Sequence, residues 1–139
     1  LNSASGLQKG AYILKEAKNQ SPDLILIATG SELSLALEAS EKLEEDNIHA
    51  RVVSMPSWEL FEKQDVEYQN HILPPDIPQR ISIEAASTFG WHRWIGDKGY
   101  AIGVNHYGIS APGEEVYEAL DITTDHIMRA AKKMTSNIQ

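Results

Sequence analysis

Two short stretches hold the residue types that a ligand site would use: Thr29, Gly30, Ser31 and Glu32 after one apolar run, and Glu84 followed by Ser87 and Thr88 after another. A strand that runs through a turn into a helix presents backbone N–H groups and the positive end of a dipole, which suit a phosphate. Glu32 opposes that reading, because a carboxylate in the first helical turn already occupies the favourable field and repels an anion. Thr29 and Glu32 have the spacing of a capping box, and Ser31 is an alternative N-cap, so this stretch is expected to start a helix rather than to hold an anion. Neither GxxxxGK[ST] nor GxGxxG occurs in the chain. Glu84 at the end of a strand suits a general base or a partner for a ligand hydroxyl, and equally an acceptor for the Ser87 and Thr88 loop. Gly30, Ser31, Glu84 and Ser87 therefore mark a candidate ligand edge.

Other reactive types are scattered. His49, His71, His92, His106 and His126 lack metal-ligand spacing and lie in no HExxH pattern. Cysteine is absent, which removes thiolate metal sites, cysteine nucleophiles and disulfides. His106 and Ser110 are four apart in a polar loop and define no catalytic geometry. Trp91, His92, Arg93 and Trp94 resemble a stacking platform, but such a cluster is expected to pack as a lid, with buried indoles and Arg93 stacked on one of them. No catalytic, cofactor-binding or metal-ligating residue is expected.

The elements that position these residues follow from periodicity. Leu24 to Thr29 is apolar on both faces, as in a strand covered by helices on each side. Glu32 to Asp46 then takes a helical period, with Leu33, Ala36, Leu37, Ser40 and Leu43 on one face and a Glu38–Lys42 pair on the other. Ala50 to Met55 is the next strand, so the unit is a β-α-β crossover between parallel neighbours. Ala11 to Glu16, Gln79 to Ala85 and Tyr100 to Val104 supply three more strands. Short helical segments are expected from Trp58 and over Asp65 to Leu73, the latter stopped by Pro74, Pro75 and Pro78. Ala111 to Leu120 and a last helix from Thr124, with Ile127, Ala130, Ala131 and Met134 as its stripe, complete the pattern. The whole predicts a three-layer α/β/α sandwich on a five-stranded, mostly parallel sheet. Residues 1–9 are expected as a lead-in linker, 10–136 as the domain and 137–139 as a frayed tail.

With 139 residues, 42% of them hydrophobic, the chain fits one core. Its 20 acidic residues against 12 basic ones give a net charge of −8, and no stretch gathers the basic residues into a stripe. Nucleic acid and anionic membranes are therefore not expected as partners. No apolar run approaches the roughly 20 residues of a membrane helix, so a soluble, cytoplasmic protein is expected.

The order and wording of the segments closely resemble the C-terminal domain of transketolases. The pieces are GAYIL (Gly10 to Leu14), LIATGSELSLA (Leu26 to Ala36), ARVVSMPSWELFEKQ (Ala50 to Gln64), SIEAASTFGW (Ser82 to Trp91) and HYGISAPGEEVYEAL (His106 to Leu120). The resemblance implies four parallel strands and one antiparallel strand. It implies a parent enzyme that moves a two-carbon ketol unit from a ketose phosphate to an aldose phosphate, using thiamine diphosphate and Mg2+ or Ca2+. Those groups belong to two further domains of the parent chain, which are the implied partners together with a second subunit of a homodimer. The family's GDG motif has no counterpart: Gly96 and Asp97 are followed by Lys98, and Asn105 is too close to serve as the downstream Asn. Asp121 stands where the family usually has Gly after a helix. This domain alone is thus expected to be inactive, with a structural or regulatory role. A stand-alone module binding small anions or nucleotides is the competing reading. The equivalent domain of a 2-oxo-acid dehydrogenase or deoxyxylulose phosphate synthase is another.

Overall fold

The computed structural model describes residues 8–84, 90–103 and 122–136. Five strands form one sheet: β1 (Tyr12–Lys15), β2 (Leu24–Ala28), β3 (Ala50–Ser54), β4 (Arg80–Glu84) and β5 (Tyr100–Gly103). Their spatial order is β1-β3-β2-β4-β5. β3, β2, β4 and β5 are mutually parallel, and β1 lies antiparallel on the outer side of β3.

β2 shows why its sequence lacks alternation. Leu24, Leu26 and Ala28 enter one core and Ile25 and Ile27 the other, and all five are fully buried. The first core lies beneath α1 (Leu33–Glu45) and α5 (Thr124–Thr135), which contribute Ala36, Ala39, Leu43, Ile127 and Ala131. The expected stripe of α1 shifts slightly: Ala39 is buried and Leu37 only partly so. The expected Glu38–Lys42 pair forms at 3.4 Å. Asn47 ends the crossover helix in the left-handed region at φ 62°, a conformation that asparagine enters more readily than most residues.

The second core lies beneath α2 (Trp58–Glu62), α3 (Val66–Ile72) and α4 (His92–Ile95), through Phe61, Ile72, Trp91, Trp94 and Ile95. Ser57 and Asp65 start α2 and α3, their side chains accepting the backbone N–H of Leu60 at 3.2 Å and Tyr68 at 2.8 Å. The aromatic cluster packs as the sequence suggested. Trp58 meets Trp91 edge-on at 5.0 Å, Phe61 lies 5.2 Å from Trp94, and the Arg93 guanidinium sits 5.1 Å over the Trp94 ring.

The proline-rich stretch after α3 leaves carbonyls that no helix or ladder bonds. Arg80 collects them, its guanidinium donating to the carbonyls of Leu73, Pro74, Ile77 and Trp94 at 2.7 to 3.2 Å. One side chain thereby ties the connection before β4 to the end of α4. Two helix layers thus enclose the sheet, as the periodicity predicts. The Ala111 to Leu120 helix, Asp121 and residues 137–139 lie outside the described residues.

Candidate functional site

Because four strands are parallel, their carboxyl ends share one edge of the sheet, where open α/β sheets place their ligands. Ala28 pairs with Ile83, so Thr29 and Glu84 are the next residues on neighbouring strands. Gly30 and Ser31 therefore follow β2 at the same edge at which Glu84 closes β4. The structure brings these three to one edge; Ser87 lies outside the described residues, as do Asn105, His106 and Ser110.

The local geometry differs from the capping box. Gly30 takes φ +60° and opens a single 3-10 turn, Gly30–Glu32, before α1 begins. The N–H of Glu32 is directed to the backbone carbonyl of Thr29 at 3.3 Å, and the Thr29 side chain makes no cap. Ser31 lies inside the turn and is not the N-cap either; its hydroxyl donates to the Glu32 carboxylate at 2.5 Å. A carboxylate thus stands at the head of α1 with its adjacent hydroxyl turned to it. That arrangement disfavours an anion there.

The other carboxyl-end segment is absorbed by structure. Ser54 is buried, Met55 N–H bonds the Ala28 carbonyl at 3.0 Å, and Ser57 caps α2. Glu84 is half-buried at the strand end.

The histidines go separate ways. His49 meets Glu44 at 2.7 Å, His92 meets Asp97 at 2.8 Å, and buried His126 meets the Tyr100 hydroxyl at 3.1 Å. Among the described residues no three of His, Cys, Asp or Glu converge so as to hold a metal. Asp97, the nearest analogue of a GDG aspartate, lies on an exposed turn in contact with His92. This donor set does not fit a metal-bound diphosphate.

Sequence reasoning missed a different feature. A cavity of about 710 Å³ opens where β4 and β5 begin, against the flank of α5, and Lys98, Arg129 and Lys133 line it. The only signal in the sequence is the i,i+4 spacing of Arg129 and Lys133, which sets both on one flank of a helix.

Fold and edge together define an α/β/α sandwich domain on a mixed five-stranded sheet, with no assembled reaction centre among its described residues. The family described as Transketolase-like TK C-terminal domain matches residues 10–123, and the chain belongs to that family. The chain is 46% identical over 132 residues to the transketolase of Halalkalibacterium halodurans, covering 95% of this chain and 20% of that protein. To the chloroplastic transketolase of Spinacia oleracea it is 47% identical over 133 residues, covering 95% of this chain and 18% of the other. The transketolase structure from Leishmania mexicana superposes with a TM-score of 0.79 at 32% identity, covering 97% of this chain and 19% of that one. The chain therefore spans about a fifth of the length of the relatives it matches.

Among the described residues no helix is long and apolar enough to cross a membrane.

Proposed function

We propose that this chain is the C-terminal domain, over residues 10–136 with 1–9 as its lead-in, of a transketolase. The parent transfers a two-carbon ketol unit from a ketose phosphate to an aldose phosphate. The observation that carries this reading is a match across nearly all of this chain to only about a fifth of each of these three relatives, all transketolases. In this reading thiamine diphosphate and its divalent metal are bound by the two other domains of the parent chain, in the cytoplasm, within a homodimer. The domain contributes packing area and stability to that dimer and carries no catalytic group. The sheet edge with Gly30, Ser31, Glu84 and Ser87 is a vestigial ligand edge. Its open α/β topology supports that assignment, and the Ser31–Glu32 contact sets a carboxylate at the head of α1, where it opposes an anion.

The test uses the purified chain with thiamine diphosphate, Mg2+, a ketose phosphate and an aldose phosphate. No turnover is expected from the chain alone, and turnover is expected from a full-length protein that contains it. Turnover by the chain alone would sink the assignment. So would a full-length protein that is inactive on every ketose and aldose phosphate pair.

A further inference from the structure

A second cavity, of about 270 Å³, opens between the end of α3 and α4, at the amino end of β4, where Arg80 opens the strand that Glu84 closes. Arg80, Arg93 and Asn70 supply its polar side. A guanidinium carries five N–H donors. The carbonyls of Leu73, Pro74, Ile77 and Trp94 take four of those of Arg80, and Nη1 donates only to Trp94, at 2.7 Å, so one N–H of Nη1 is left over. Those carbonyls solvate the cation without neutralising it. Among the described residues no carboxylate pairs with Arg80, and burial lowers its pKa from the ordinary value. Arg93 shows the alternative, since it pairs with Glu62. The cavity thus holds one unit of uncompensated positive charge. The chain has 20 acidic residues against 12 basic ones, yet no described aspartate or glutamate lines this cavity.

The rest of the wall is apolar. Phe61, Leu73 and Trp94 are buried members of the second core, with the Phe61 and Trp94 rings 5.2 Å apart. Trp94 Nε1–H is buried with no acceptor, whereas buried donors are as a rule bonded. Two donors among the lining residues therefore lack an acceptor, and they adjoin an aromatic surface. A single excess charge matches a monoanion better than a phosphate dianion. At about 270 Å³ the cavity falls just below the usual range for drug-sized ligands and suits a single ring.

The geometry points to a binding site for a small aromatic monocarboxylate. Its carboxylate supplies the acceptor that Arg80 and Trp94 lack, and its ring lies against Phe61, Leu73 and the Trp94 indole. The site lies away from the carboxyl edge of the sheet and does not depend on the parent enzyme's reaction.

The experiment titrates the isotope-labelled chain with benzoate, benzamide and acetate, following amide and indole resonances. Benzoate is expected to bind saturably, moving the resonances of Leu73, Arg80 and Trp94, the Trp94 indole N–H among them, and more weakly as salt rises. Benzamide keeps the ring without the charge and should bind about tenfold more weakly. Acetate keeps the charge without the ring and should also bind about tenfold more weakly. Arg80 stays in place, because four carbonyls depend on it. Asn70→Asp instead sets a carboxylate on the exposed side of the cavity and should raise the benzoate Kd about tenfold. Asn19→Asp, the same charge change on an exposed turn elsewhere, should leave it unchanged. Circular dichroism checks that each variant folds. Absence of saturable benzoate binding, equal binding of benzamide, or a Kd that Asn70→Asp raises no more than Asn19→Asp would overturn the site. Equal affinity for acetate would overturn its assignment to an aromatic ligand.

Discussion

Arg51 and Glu16 meet through two parallel hydrogen bonds, Nε to Oε1 and Nη2 to Oε2, each 2.9 Å long. The arginine side chain is buried, and Nη1 also donates to the carbonyls of His71 and Ile72, so this pair joins the end of β1 to β3 and α3. Glu16→Ala strands a buried cation and should cost about 3 kcal/mol, the low end for a broken buried pair because the glutamate side chain is 31% exposed. Arg51→Met leaves a carboxylate that can turn to water but orphans two carbonyls, for a loss of about 2 kcal/mol. The double variant should lose less than the sum by about 1 to 2 kcal/mol, since removing both partners leaves no uncompensated charge. Urea unfolding of the four proteins measures this coupling, and strict additivity would refute it.

Gly10 and Gly30 both take positive φ, at +86° and +60°, yet their surroundings differ. A Cβ on Gly10 would collide with the backbone of Ser57, Leu60 and Phe61, where the Gly10 carbonyl accepts the Ser57 N–H at 3.1 Å. A Cβ on Gly30 would meet nothing within 4 Å. Gly30→Ala should therefore cost only the left-handed penalty of about 1 kcal/mol. Gly10→Ala adds a collision that backbone cannot relieve, so a loss of about 3 kcal/mol or more is expected. Equal shifts in the two urea midpoints would show that the close approach at Gly10 carries no weight.

Much of the fold was legible because burial writes itself into composition. LILIA had to be a covered central strand, and the period change after Ser31 had to be a helix returning to a parallel neighbour. The place of β1 outside β3 was not legible, because no local pattern in AYILKE specifies which distant strand it joins; the family resemblance implied one antiparallel strand without saying which. The shared edge of the strand ends that carry Gly30, Ser31 and Glu84 was legible, but its hydrogen bonding was not. A Thr-x-x-Glu spacing cannot show that the Thr29 carbonyl, rather than its hydroxyl, takes the Glu32 donor. The basic cavity was invisible for another reason. Lys98 and Arg129 belong to separate elements, and a scan along the chain for clustered charge cannot see a cluster that only folding makes.

The capping contrast gives a direct test. Thr123 accepts the His126 N–H at 3.0 Å and starts α5, whereas the Thr29 hydroxyl caps nothing. Thr123→Ala should cost about 1 kcal/mol and Thr29→Ala less than about 0.5 kcal/mol. The capping-box reading of Thr29 and Glu32 requires the two losses to be comparable. Chemical denaturation separates these outcomes.

The Tyr68 hydroxyl donates to the Ala11 carbonyl at 2.7 Å, tying α3 to the chain just before β1. Burial raises this phenol above its ordinary value near 10, so the unfolded chain gives up the proton before the folded one does. Its stabilisation is complete below about pH 10 and drains away as pH rises through the folded value. A phenolate has no proton to donate and would set an anion against a carbonyl oxygen. At neutral pH Tyr68→Phe should cost about 1 kcal/mol for the lost hydrogen bond. That gap should hold below about pH 10 and narrow as pH rises beyond it, because only the native residue loses a contribution there. Burial also lowers the Arg80 pKa, an alkaline effect common to both proteins that cancels in the difference. Urea midpoints of the pair across this range measure the gap, and a constant value would mean that the Tyr68 proton contributes nothing to holding α3 against Ala11.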